Sequence, residues 1–190
     1  MIHVSSIGRG HQIPISSRRT SARSRPRGFD LAHEALGSRV QYRELSVYEL
    51  APEVTGQFDF VFMGSLLLHL RDPVGALAAV GSVLQGELLS VDALSPLLTL
   101  LHPGQPVARL KAPGWPTWWA LNLRADRALF PAAGLDVVTA GRPFLLRRGP
   151  SFDPSPRSRR PLYQRFQPAV AARLGIVHAC VRACAAGSVR

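Results

Sequence analysis

The sequence predicts an α/β fold: a mostly parallel sheet with helices between its strands and an antiparallel hairpin at one edge. Three observations predict it. The run Phe58-Asp59-Phe60-Val61-Phe62-Met63 is almost continuously apolar, as expected of a strand buried on both faces of a parallel sheet. Stretches of helical periodicity alternate with strand-like runs. The last two such runs, Leu135–Thr139 and Pro143–Leu146, lie close together across Ala140-Gly141, which makes them an antiparallel pair.

The elements follow in order. Asp30–Leu36 carries an apolar stripe at 31, 32, 35 and 36, with Gly37 as a helix stop. Val40–Leu45 alternates as a strand does, and Ser46-Val47-Tyr48-Glu49-Leu50 reads as the loop after it. Phe58–Met63 is the second strand, broken at Gly64-Ser65. Asp72-Pro73 marks a helix start, with Asp as N-cap and Pro in the first turn. Its stripe is Val74, Leu77, Ala78, Val80 and Leu84, and Gly86-Glu87 is the expected stop. Leu88–Asp92 is the third strand. Ala93–Gly114 is a Pro-rich loop with a helical turn or two near Leu97–Leu101. Asn122 caps a helix from Leu123 to Ala133, closed by Gly134, and Leu135–Thr139 follows as the fourth strand.

The chain has 190 residues, 46% of them hydrophobic, enough for one domain with a core. Its formal charge of +11 suggests a nucleic-acid partner until its distribution is seen. All acids lie between Asp30 and Asp153; the chain before them holds six arginines and the chain after them seven. This divides the chain into a disordered basic segment 1–28, a domain 29–148 and a basic Pro/Arg/Ala-rich tail 149–190. The ends are open to three readings: basic arms for RNA or DNA, solvated tails, or out-of-frame sequence, the last in keeping with a single lysine among many arginines. Cys180 and Cys184, with His178 nearby, are too few for a metal site, and none is expected. So few cysteines suit a reducing cytoplasm. No stretch is long and apolar enough to span a bilayer, so no membrane partner is expected.

Open α/β sheets bind ligands just beyond the carboxyl ends of their strands. The break Met63-Gly64-Ser65, followed by Leu-His-Leu-Arg-Asp-Pro to Pro73, therefore builds the rim of a crevice. The order of Ser-Val-Tyr loop, strand ending in Met-Gly-Ser, His69, capped helix and strand ending in Asp92 resembles the class I S-adenosylmethionine-dependent methyltransferases. Phe58–Asp72 and Pro116–Asn122 are most similar to the branch related to tRNA wobble-uridine (carboxy)methyltransferases. The likeness covers about Phe29 to Leu146.

The resemblance implies a Rossmann-like methyltransferase fold with S-adenosylmethionine as cofactor and a small-molecule or RNA methyl acceptor. It implies that Ser46 and Val47 flank the adenine, Ser46 through its side-chain oxygen, where the family often has Asp, and Val47 through its backbone N–H. Met63, Gly64 and Ser65 would lie beside the methionine portion, and His69 would be the catalytic proton acceptor or orienting group. Each position also has a plainer reading: a turn at Ser46-Val47, core packing at Met63, and a bond from His69 to a backbone carbonyl. Trp118 and Trp119 either line the acceptor side or cover the sheet.

The chain departs from the family at its start. Gly8-Arg9-Gly10 lacks a preceding strand and a following acid, so the first two strands and the Gly-rich cofactor turn are expected to be missing. A truncated or mis-framed methyltransferase with impaired cofactor binding is the expectation. The alternative is a non-catalytic RNA-binding or interaction protein using the basic termini. A nicotinamide-dependent dehydrogenase ranks last, because no G-x-G-x-x-G turn is present.

Overall fold

The computed structural model describes residues 27–111, 115–147 and 175–187. Its elements are α1 (Arg27–Ala35), α2 (Pro52–Thr55), β1 (Phe58–Gly64), α3 (Pro73–Val83), β2 (Leu84–Ala93) and α4 (Pro96–Leu101). They are followed by β3 (Ala108–Leu110), β4 (Trp119–Leu121), α5 (Leu123–Ala132), β5 (Leu135–Ala140), β6 (Phe144–Leu146) and β7 (Ile176–Ala185). The main sheet runs β1-β2-β7-β5, with β6 also on β7. β1 and β2 are parallel, and β7 is antiparallel to β2, β5 and β6. Four strands therefore share one direction and β7 runs against them. β3 and β4 form a separate two-stranded antiparallel sheet.

The local start signals act as the sequence suggests. Asp72 accepts the Gly75 N–H at 2.8 Å and Pro73 opens α3. Asn122 caps α5 and is fully enclosed. Its Oδ1 accepts from Ala125 N–H (2.8 Å) and Val107 N–H (3.0 Å), and its Nδ2 donates to the carbonyls of Gln105 (2.7 Å) and His102 (3.0 Å). One side chain thus ties the start of α5 to the loop before β3. Asn122→Ala removes four hydrogen bonds, one of them to the buried Ala125 N–H, and we expect denaturant unfolding to show a loss of about 2 kcal/mol.

The core lies on one side of the sheet. Ala76, Leu77, Val80 and Val83 of α3 and Phe130 of α5 pack on Val61, Met63, Leu88, Val181 and Ala183. The other side is more open than the sequence predicts. Phe60 and Phe62 are each 46% exposed, so β1 alternates rather than being buried on both faces. The helices of the core cover only one face, and among the described residues β1 has no strand beyond its outer edge.

Four further expectations are corrected. Val40–Leu45 is not a strand: it has the alternation but pairs with no neighbour in either sheet, and Ser38 Oγ holds the Val40 N–H instead. α3 ends at Val83, before Gly86. That glycine sits inside β2, where an added Cβ would run into the Asp59 carbonyl at the β1–β2 register shift, so it serves close strand approach rather than helix termination. An antiparallel hairpin is present at the sheet edge, but its return limb is β7. β5 and β6 lie end to end along β7, joined by the Gly141 N–H bond to the Cys180 carbonyl (2.9 Å). Most consequentially, β7 falls within the stretch 149–190 that composition assigns to a tail, and it is an interior strand of the sheet. The expected loss of two leading strands falls on residues 1–26, outside the described residues. No helix among the described residues is long and apolar enough to cross a membrane.

Candidate functional site

The parallel strands β1 and β2 end side by side, and the turns that leave them gather polar groups. Ser65 follows β1 with φ +49°, the one non-glycine residue with positive φ among the described residues. Strain of this kind concentrates at functional turns. The Ser65 N–H donates to the Val91 carbonyl at 2.7 Å, which holds the turn against the end of β2. Its Oγ lies 3.3 Å from His178 Nε2. His178 Nδ1 faces the Ile176 carbonyl at 2.9 Å. A carbonyl only accepts, so Nδ1 bears a proton, and in the neutral ring the Ser65 hydroxyl donates to Nε2.

Asp92 at the end of β2 is buried. Its Oδ2 accepts the Leu67 N–H (2.8 Å) and its Oδ1 the Ala93 N–H (3.0 Å). Burial raises its pKa, while those two N–H donors and the nearby His178 and His69 pull the other way. Asp126, one turn into α5, is also enclosed. Burial, and then the charge of Asp92, push its pKa up to about 7, opposed by Arg127. Two carboxyls and two imidazoles therefore share one electrostatic neighbourhood behind the strand tips. Among the described residues, no three His, Cys, Asp or Glu side chains stand together as a metal site. Cys180 and Cys184 are free thiols on one face of β7.

His69 ends a 3-10 turn, Leu67–His69, at the exposed lip. Three bonds from the segment around β4 hold this turn: His69 Nδ1 donates to the Pro116 carbonyl (2.8 Å), Trp118 N–H to the Leu68 carbonyl (2.8 Å) and Trp119 Nε1 to the Leu70 carbonyl (3.0 Å). Trp119 therefore braces the turn, while Trp118 stays exposed, with the Arg71 guanidinium 5.4 Å from its ring centre.

Ser46 caps a 3-10 turn, Val47–Glu49. Its Oγ accepts the Tyr48 N–H (3.4 Å), and Glu49 accepts the Ser46 N–H (3.3 Å). Tyr48 Oη accepts the Asp72 N–H at 3.2 Å, so the Ser46 turn abuts the segment that follows His69. The side chains of Val47 and Met63 belong to the core, with exposures of 6% and 1%, which for Met63 is its plainer reading. Gly64 ends β1 exposed, and an added Cβ there would meet only the Phe62 ring. The structure thus sets Gly64, Ser65 and His69 beyond the end of β1, sets the Ser46 turn against the start of α3 through Tyr48, and encloses the side chains of Val47 and Met63. Sequence reasoning noted His178 only as a neighbour of Cys180 and Cys184, and missed Asp126. The alternation of Val177, Ala179, Val181 and Ala183 was the available signal for the first. The second sits on a helix where nothing local distinguishes it from a surface acid.

No protein-family model matches the chain, and no curated protein matches it in sequence. Solved structures share its fold. The 1,6-didemethyltoxoflavin-N1-methyltransferase of Burkholderia thailandensis, with bound 1,6-didemethyltoxoflavin and S-adenosylhomocysteine, superposes with a TM-score of 0.52 at 15% identity over 86% of this chain and 58% of its own. The (4+2)-cyclase SpnF gives 0.50 at 19% identity over 83% and 61%. YcgJ of Bacillus subtilis gives 0.50 at 17% identity over 83% and 76%. The chain spans only 58% and 61% of the first two structures. At these identities the likeness establishes the fold, which is the Rossmann-like methyltransferase fold.

Proposed function

We propose that the chain takes part in methyl transfer from S-adenosylmethionine to a nucleophile on a small-molecule or RNA acceptor, with His69 as the proton acceptor. The observation that supports this reading is the exposed position of His69 just beyond β1; its Nδ1 makes the bond to a backbone carbonyl, Pro116, that the plainer reading of this residue also expects. That bond keeps the proton on Nδ1, so the neutral ring offers the Nε2 lone pair at the exposed lip. The fold alone would not carry it, because SpnF, a cyclase by its name, has the same fold. The Burkholderia enzyme, with a small heteroaromatic substrate and S-adenosylhomocysteine bound, favours the small-molecule class of acceptor. The likeness of Phe58–Asp72 and Pro116–Asn122 to the wobble-uridine branch keeps RNA as the second arm of the test.

The residues fit a cofactor in part. Ser46, Gly64 and Ser65 would hold S-adenosylmethionine: Gly64 ends β1 without a side chain, Ser65 follows in a positive-φ turn, and Ser46 caps the turn that abuts the start of α3. Val47 would contribute its backbone N–H to the adenine, and Met63 packing beneath. When bound, the cofactor supplies an electrophilic methyl group. This chain's residues orient the acceptor, exclude water and remove its proton at His69 Nε2.

Calorimetric titration with S-adenosylhomocysteine tests the cofactor half. Binding that S-adenosylmethionine competes away is expected, and no heat at millimolar ligand would end the proposal. For the acceptor half, radiolabel transfer is followed to a small-molecule panel and to bulk transfer RNA. His69→Ala should lower turnover roughly 100-fold and leave S-adenosylhomocysteine affinity within about twofold. Full turnover in that variant would remove His69 from the reaction.

A further inference from the structure

Beside the His69 turn, but sharing no lining residue with Ser46, Gly64, Ser65 or His69, lies an open cleft of about 450 Å³ between the start of α3, β4 and α5. That is within the range of small-ligand sites. Val74, Trp119, Leu121 and Leu129 give it apolar walls, and Arg71 and Asp72 stand at its lip. Trp119 has its one donor committed to the Leu70 carbonyl, so it presents only ring surface. The Asp72 carboxylate is engaged at the start of α3 by the Gly75 N–H. Arg71 is different. It rests against the Trp118 ring and has no carboxylate partner among the described residues, where the ion pair present is Arg182–Glu87.

The loop and strands on one side of the cleft carry only positive charge, while Asp72 is the acid at its lip. From Ala93 to Ala125 the chain contains no Asp or Glu but carries Arg109, Lys111 and Arg124. Arg109 and Lys111 lie on or next to β3, which also lines the cleft through Ala108. Burial, and then the neighbouring Arg109, lower the Lys111 pKa.

We propose that this cleft is a second ligand site, which takes a small amphipathic organic anion. The apolar body lies against Trp119, Leu121 and Leu129, and its carboxylate or phosphate pairs with the Arg71 guanidinium. An unpaired guanidinium held over an aromatic ring is arranged for two-pronged recognition of such a group. A neutral ligand of the same shape would gain the walls and lose the lip.

The test is binding to the full chain without cofactor, followed by calorimetry and ligand-observed NMR. The probes are 2-naphthoate, 2-naphthyl phosphate and the neutral 2-naphthamide. An anionic probe should bind about tenfold more tightly than the amide. Arg71→Gln should erase that preference, whereas Arg43→Gln, an exposed cation elsewhere, should preserve it. Leu129→Trp, checked for folding by circular dichroism, should weaken all three probes by filling the cleft. Equal binding of the amide, no binding of any probe, or the same loss in the Arg43 and Arg71 variants would each overturn the site. Comparison of the two anions separates a carboxylate from a phosphate ligand. Because the cleft and the strand-tip rim share no residue, this result and the S-adenosylhomocysteine titration stand or fall separately.

Discussion

Deleting Ile176–Arg190 should abolish cooperative unfolding, although composition marks this stretch as part of a dispensable tail. β7 lies between β2 and β5, and its removal would open the inner edges of both. Ala179, Val181 and Ala183 are almost wholly enclosed, and Val181 and Ala183 belong to the same core as α3. The strand also brings His178 to Ser65. The loss is therefore the centre of the sheet rather than one edge. Calorimetry and near-ultraviolet circular dichroism of the shortened chain should show no sharp transition. An unchanged melting temperature would restore the tail assignment. A milder version is Val181→Asp, which places an unpaired carboxylate in the core and should cost about 4 kcal/mol or more.

The second large effect is a pH dependence that runs opposite to the usual carboxylate case. The native pKa of Asp126 is raised from 3.8 to about 7, first by burial and then by Asp92. A carboxyl raised in the native state binds more protons folded than unfolded across that interval. Stability conferred by the neutral form is thus fully present below about pH 4, declines as pH rises through the interval, and is gone above about pH 7. Asp92 is raised in the same direction and lies close, so the two are expected to titrate as a pair. Asp126→Asn keeps the shape and removes the charge. Near pH 8 it should stabilise the chain by up to about 4 kcal/mol, with little difference near pH 4. Urea melts of both proteins at the two pH values would check this. A variant no more stable than the parent at pH 8 would show that Asp126 is ionised at no cost in the native chain.

What the sequence made legible was local. Asp72-Pro73 and Asn122 announce helix starts because capping needs only a side chain and the next turn. Phe58–Met63 announces a strand through its apolar density, though not that Phe60 and Phe62 would stay half open, because exposure depends on which face the helices cover. Val40–Leu45 has the period of a strand and no partner, and a partner is what a strand requires. β7 was hidden because His178 and Arg182 interrupt its apolar run inside an acid-free, Arg-rich stretch. At the site, Gly64, Ser65 and His69 could be named from the break after β1. The tautomer of His69 could not, because it rests on a carbonyl 47 residues away.

The place of β7 also has a consequence for biosynthesis. Val91 pairs with Cys180, so β2 emerges from the ribosome about 90 residues before its inner neighbour exists. Until then a hydrogen-bonding edge flanked by Leu88 and Val91 has nothing native to close it. Vectorial synthesis therefore postpones assembly of the sheet centre, and the nascent polypeptide must be kept from other chains during that wait.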